Sequence, residues 1–133
     1  MRSAFRIRRK PLSELEQRVM DYVWQSAPCT ADACREALAA DHPLKDSTIR
    51  TVLSRLEAKD YVTHSVEGRT NLYKPCDPPQ KVAAHAVRQI IDRFCSGSVE
   101  ELLVGMVDDQ VLDQEELQRL AVKIAAARKG KKS

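Results

Sequence analysis

Between Ser13 and Lys74 the spacing of apolar residues is helical three times in succession and then changes to the composition of a strand. A chain that does this buries its stripes as a small helical packing with a hairpin laid against it. Ser13 and Glu16 stand at the spacing of a capping box, in which a hydroxyl and a carboxylate each satisfy an orphan amide, so a helix is predicted to begin there. Leu15, Val19, Tyr22 and Val23 continue it, Met20 and Trp24 widen its stripe, and Pro28 stops it. Thr30 is predicted to cap a shorter helix to about Ala40, with Ala33, Ala37 and Leu38 as a thin apolar edge. Residues 41 to 45, with Pro43, read as a turn, and Asp46 as the cap of a third helix to about Lys59.

The third helix is the most informative. Ile49, Val52, Leu53 and Leu56 fall at i, i+3, i+4 and i+7 and commit one face to a core. Ser47, Arg50, Thr51, Ser54 and Arg55 lie away from it. That mixture suits a major groove: arginine can fork onto guanine O6 and N7, and threonine offers a hydroxyl and a methyl. A merely solvated face more often interleaves glutamates with its arginines. Residues 61 to 66 are rich in β-formers, residues 67 to 70 contain Gly68 and read as a turn, and residues 71 to 74 return as the partner strand. A two-stranded ribbon is marginal alone, so Tyr61 and Tyr73 are expected to pack it on the helices. Three helices and a hairpin in this order make a winged helix-turn-helix. Arg69 at the wing tip is a candidate for backbone or minor-groove contact, and Lys45 and Lys74 for phosphate contact.

Pro75, Pro78 and Pro79 bracket a linker, after which the pattern is helical to the end. Val87, Ile90 and Phe94 continue a stripe begun by Ala83, and Gly97 ends that helix. Ser98 with Glu101 opens a helix carrying Leu102, Leu103 and Met106, and Asp113 with Glu116 opens one carrying Leu117, Leu120, Ala121 and Ile124. Such short helices cannot bury these stripes against each other, and a two-fold dimer is the simplest way to complete the core. The expected fold class is mostly α with a small β-hairpin: a winged helix-turn-helix domain over residues 10–76 and a helical dimerisation arm over 77–128. Residues 1–9 and 129–133 are expected to be basic flexible tails. With 133 residues, 43% of them hydrophobic and 5% aromatic, the chain has material for one modest aliphatic core.

A net charge of +3 is too small to identify a polyanionic partner, and its distribution says more. Arg2, Arg6, Arg8, Arg9 and Lys10 crowd the first ten residues, Arg128, Lys129, Lys131 and Lys132 the last six, and every charge from Ser98 to Glu116 is acidic. No window has the apolar length of a membrane span or signal peptide, so direct membrane binding is not expected and the cytoplasm is the expected compartment. Cys29, Cys34, Cys76 and Cys95 match no paired zinc spacing and read as reduced structural thiols. His42, His64 and His85 form no ligand pair, and no nucleophile elbow, P-loop or glycine-rich nucleotide loop is present. Neither an enzyme nor a bound metal or cofactor is expected. Two other readings share the fold: an interaction adaptor that binds no DNA, and a thiol- or metal-responsive regulator using Cys29 and Cys34.

The runs Leu12-Ser13-Glu14-Leu15-Glu16, Val19-Met20-Asp21-Tyr22-Val23-Trp24 and Ser47 through Leu56 resemble the penicillinase-repressor family, which includes methicillin-resistance and copper-homeostasis repressors. The resemblance runs from about residue 10 to residue 127. It implies a homodimer on a palindromic double-stranded DNA operator, held together by C-terminal helices, with Thr48, Arg50, Thr51 and Arg55 in contact with DNA and Thr51 and Arg55 closest to base edges. Ser47 stands where the family often has lysine. β-Lactam-responsive members are inactivated when a membrane metallopeptidase sensor leads to their cleavage. The matching bond here is Gly105-Met106, where the best-known members have asparagine and phenylalanine. The cysteine-rich C-terminal motif of copper-responsive members is absent.

Overall fold

The computed structural model describes residues 8–131; most of the expected N-terminal tail and the last two residues lie outside that range. The order is α1 (Glu14–Ser26), α2 (Ala31–Leu38), α3 (Asp46–Ala58), β1 (Val62–Glu67), β2 (Thr70–Pro75), α4 (Pro79–Phe94), α5 (Val99–Asp108) and α6 (Gln114–Lys131). The chain divides into two compact units at Val87/Arg88.

In the first unit the capping box at α1 is complete: Ser13 Oγ accepts from the Glu16 amide at 3.1 Å and Glu16 Oε1 accepts from the Ser13 amide at 2.9 Å. Thr30 Oγ1 accepts from the Ala33 amide at 3.0 Å and starts α2. The buried residues of α2 are Ala31 and Cys34, with Leu38 half-buried. The expected edge of Ala33, Ala37 and Leu38 is therefore rotated: Ala33 is half-buried and Ala37 exposed. Ala31, Cys34 and Leu38 are the i, i+3, i+7 set that meets α1 and α3. The cap of α3 also moves by one residue. Lys45 takes the extended backbone of a cap without a side-chain bond, and Asp46 is the first helical residue. Ile49, Val52, Leu53 and Leu56 are buried as their spacing requires. Asp60, at φ 68°, turns the chain out of α3 in the left-handed region, and the Tyr61 amide donates back to the Leu56 carbonyl at 2.9 Å.

The strands pair antiparallel from Val62 opposite Pro75 to Glu67 opposite Thr70. Gly68 takes the positive φ of 63° that a two-residue hairpin turn needs at its first central position. Tyr61, Val62 and Tyr73 join the helical core. A third piece of the ribbon has no periodic signal in the sequence. Cys29, between α1 and α2, exchanges both backbone hydrogen bonds with Tyr73, at 3.0 and 2.7 Å, and ties the hairpin to the helices.

The compact unit runs past the expected boundary at residue 76 into α4. Trp24 Nε1 donates to the Asp77 carbonyl at 3.0 Å, and Val82 packs on the core. Arg9, placed by its neighbours in a basic tail, is held by the fold: its side chain is 6% exposed. Its guanidinium pairs with the Asp77 carboxylate and donates to the Asp60 carbonyl at 2.8 Å and His85 Nδ1 at 3.0 Å. It also lies over the Tyr61 ring. Burial raises the Asp77 carboxyl, but the bonds from Arg9 and the charge of Lys81 outweigh it and hold the group below its ordinary value.

In the second unit Ser98 and Asp113 start α5 and α6 by accepting from the amides of Glu101 and Glu116, at 3.1 and 2.7 Å. Ile91 is the one buried apolar side chain among its described residues. Arg128 to Lys131, expected near or within the C-terminal tail, continue α6.

Candidate nucleic-acid interface

The site is built by the opposition of two faces on α3. Ile49, Leu53 and Leu56 are 0% exposed, which fixes the helix's rotation about its axis. Ser47, Arg50, Thr51, Ser54 and Arg55 are then all exposed, and Thr48 is half-buried at the edge. Thr51 Oγ1 donates to the Ser47 carbonyl at 2.9 Å, which uses its one donor and leaves its oxygen as an acceptor on an exposed residue.

The two arginines of this face differ. Arg50 Nε donates to Asp46 Oδ2 at 2.9 Å, one turn toward the helix start. That bond holds the Asp46 carboxyl below its ordinary range. Arg55 makes no side-chain hydrogen bond or ion pair among the described residues and is a free cation. Asp46 is a member of the site that sequence reasoning missed, having been assigned to capping; the Asp-to-Arg spacing of four residues was the signal that could have found it.

Arg69 is exposed at the hairpin tip beside Gly68, and Lys74 is exposed on β2, opposite Thr63. His64 Nδ1 donates to Glu57 Oε1 at 2.8 Å, fastening β1 to the last turn of α3. With His85 accepting from Arg9, two of the three histidines have structural partners. Cys29 and Cys34 are buried, and burial together with the neighbouring Cys29 pushes the Cys34 thiol up to about 12. Among the described residues no group of three or more His, Cys, Asp or Glu side chains could hold a metal ion, and no helix is long and apolar enough to cross a membrane.

The dimerisation candidates Val87, Ile90, Phe94, Leu120 and Ile124 are exposed, and Leu102, Leu103 and Leu117 are half-buried. Gly105 and Met106 lie inside α5, where the Gly105 carbonyl accepts from the Asp109 amide at 2.9 Å.

Comparison with known proteins gives a consistent picture. Residues 12–126 match the penicillinase repressor family. The transcriptional regulator BlaI of Mycobacterium tuberculosis is 33% identical over 113 residues, covering 84% of this chain and 82% of that protein. The penicillinase repressor of Bacillus licheniformis is 24% identical over 109 residues, covering 82% of this chain and 85% of that protein. Among solved structures, the DNA-binding domain of the repressor BlaI superposes with a TM-score of 0.50 at 26% identity, covering 56% of this chain and 90% of that domain.

Proposed function

This chain belongs to the penicillinase-repressor family, a family of transcriptional repressors rather than enzymes, and on that footing we propose how it reads and leaves its DNA. It is a DNA-binding transcriptional repressor with a winged helix fold. The reading of the site is that α3 enters the major groove with Arg50, Thr51 and Arg55 toward base edges and Ser47, Thr48 and Ser54 beside them. Arg69 on the wing and Lys74 on β2 meet the backbone. The observation that carries this is the opposition on one helix of a fully buried aliphatic face and an exposed face of arginines and hydroxyls.

Two copies are proposed to associate in the cytoplasm through Val87, Ile90, Phe94, Leu102, Leu103, Leu117, Leu120 and Ile124. This places two readers on half-sites about 10 base pairs apart and blocks polymerase at an overlapping promoter. Release by a membrane metallopeptidase sensor would act at Gly105-Met106. That bond lies within a hydrogen-bonded helix, so α5 must open locally before a protease can reach it. The thiol-responsive reading draws no support from Cys29 and Cys34, whose burial keeps them protonated and covered.

Mobility shift of the full chain on the duplex upstream of its own gene tests the reading. Affinity is expected to fall with salt by about 0.9 log units per log unit of salt for each phosphate neutralised. Arg55→Ala is expected to cost about 1–3 kcal/mol and to relax preference at one base pair. A flat salt response, or an equal loss for Arg55→Ala on every sequence, counts against groove reading by this helix.

A further inference from the structure

Asp46 stands where an acid is out of place on a DNA-binding surface. It is exposed at the first position of the helix proposed to enter the groove, where its carboxylate faces the same polyanion that the arginines must approach. It does not cap α3, because Lys45 holds the cap position. Its side chain accepts from Arg50, and it does so through Nε. That choice of nitrogen matters. A guanidinium offers five donors in a planar fork, and a partner on Nε occupies one edge of the plane and fixes its rotation. The two terminal nitrogens are left over, and they make no hydrogen bond or ion pair among the described residues.

Resting on the reading of α3 as the groove helix, we propose that Asp46 is a specificity-determining positioning residue. Its carboxylate holds the Arg50 guanidinium so that only the paired terminal amino groups face the duplex, the presentation that forks onto guanine O6 and N7. Arg55, on the same face, has no such partner among the described residues and so gives up more rotational freedom when it meets a base. Charges of both signs on α2 stand near the pair: Arg35 acts on Asp46, and Asp32, 3.9 Å from Arg35, acts on both Asp46 and Arg50. The arrangement carries a cost and a gain on the same residue. A carboxylate at the mouth of the groove weakens attraction to any duplex, while a fixed guanidinium loses less rotational freedom on meeting a guanine. Asp46 therefore lowers binding to wrong sequences more than to the right one.

The test uses the full chain and duplexes selected from a random library by the wild-type protein, with a scrambled duplex as control. Arg50→Ala is expected to level the preference at one G·C pair in each half-site. Asp46→Ala is expected to reduce the preference at that same pair by about fivefold or more, while binding to the scrambled duplex stays equal or rises. Asp46→Asn, which keeps an acceptor and removes the charge, is expected to retain most of the preference. The double variant should discriminate no worse than Arg50→Ala alone. The proposal is overturned if Asp46→Ala leaves that preference intact, if it weakens all duplexes equally, or if Arg50→Ala levels no position. A wild-type chain that selects no sequence at all would instead sink the groove reading on which it rests.

Discussion

The two compact units use similar helix-forming sequence and bury it to different extents. The unit ending at Val87 closes on itself: thirteen side chains from three helices and the ribbon with its flanking residues form one buried cluster, and the charged side chains of Glu16 and Arg9, largely covered as well, are paired with Lys59 and Asp77. The unit beginning at Arg88 buries only Ile91 among its described residues and leaves Phe94 74% and Ile124 59% exposed. Helices this short derive most of their stability from packing of an apolar face, so the second unit lacks within itself what the first contains. The contrast teaches that the first unit completes its own core, whereas the second leaves apolar stripes open, which is what the proposed dimer would cover.

The largest expected effect breaks this comparison at the arm. Phe94→Asp puts a charge on the apolar face of α4, and sedimentation equilibrium is expected to show the protein at monomer mass. Operator affinity should fall about 100-fold or more, because the second reader then binds as a separate molecule. The urea transition of the reader should not move. Unchanged mass would show that the arm is completed in some other way.

Leu53→Ala strikes the opposite side. Leu53 is 0% exposed at the centre of the core, and truncation is expected to cost the reader about 2–5 kcal/mol, read as a lower urea midpoint with unchanged slope. The oligomeric mass should be preserved while DNA binding is lost in proportion to the unfolded fraction. Loss of the oligomer as well would mean that the two units fold as one.

The parts of this architecture that could be read in advance are those with a period. Four aliphatic positions on α3 fix its rotation, and the exposure of Arg50, Thr51 and Arg55 follows directly. Cys29 pairs with Tyr73 through backbone alone, and a single-residue bridge carries no alternation to detect. Arg9 sits in a run of basic residues whose local context says tail, while the Asp77 that holds it belongs to a segment read as a linker. The Asp46–Arg50 pairing was hidden by a shift of one residue: an acid before an apolar run has the signature of a cap, and only the backbone shows that Lys45 took that position.

A smaller effect separates the pairing of charge from the burial of carbon in the reader. Glu16 is buried, and its Oε1 accepts from the Ser13 amide and from Lys59 Nζ, the latter at 2.7 Å. Burial raises its carboxyl, but Lys59 and Ser13 outweigh burial, and the folded group titrates below its ordinary value of 4.5. A depressed carboxylate stabilises the fold above its unfolded pKa, and that stability is lost as pH falls through the folded value. Glu16→Gln is expected to cost about 1.5–3 kcal/mol at neutral pH, where the charged bond is present. The gap from wild type should narrow as pH falls below 4.5. A gap independent of pH would assign the loss to packing instead.

The smallest effect tests whether the arm's weakness is local as well as global. Gly105 lies in the middle of α5, and a β-carbon built there meets nothing within 4 Å, so the position is open to alanine. Glycine within a helix is less favourable than alanine by about 0.5–1 kcal/mol, since it gives up more backbone freedom on folding. Gly105→Ala should therefore stabilise α5 by about that amount, seen as slower amide exchange from Leu102 to Asp109, while the reader's exchange is unchanged. It should also slow any cleavage at Gly105-Met106, because the helix must open before the bond is accessible. If exchange slows and cleavage does not, opening of α5 is not the step that exposes the bond. If exchange itself does not respond, α5 is already held by contacts outside itself, as the proposed dimer would supply.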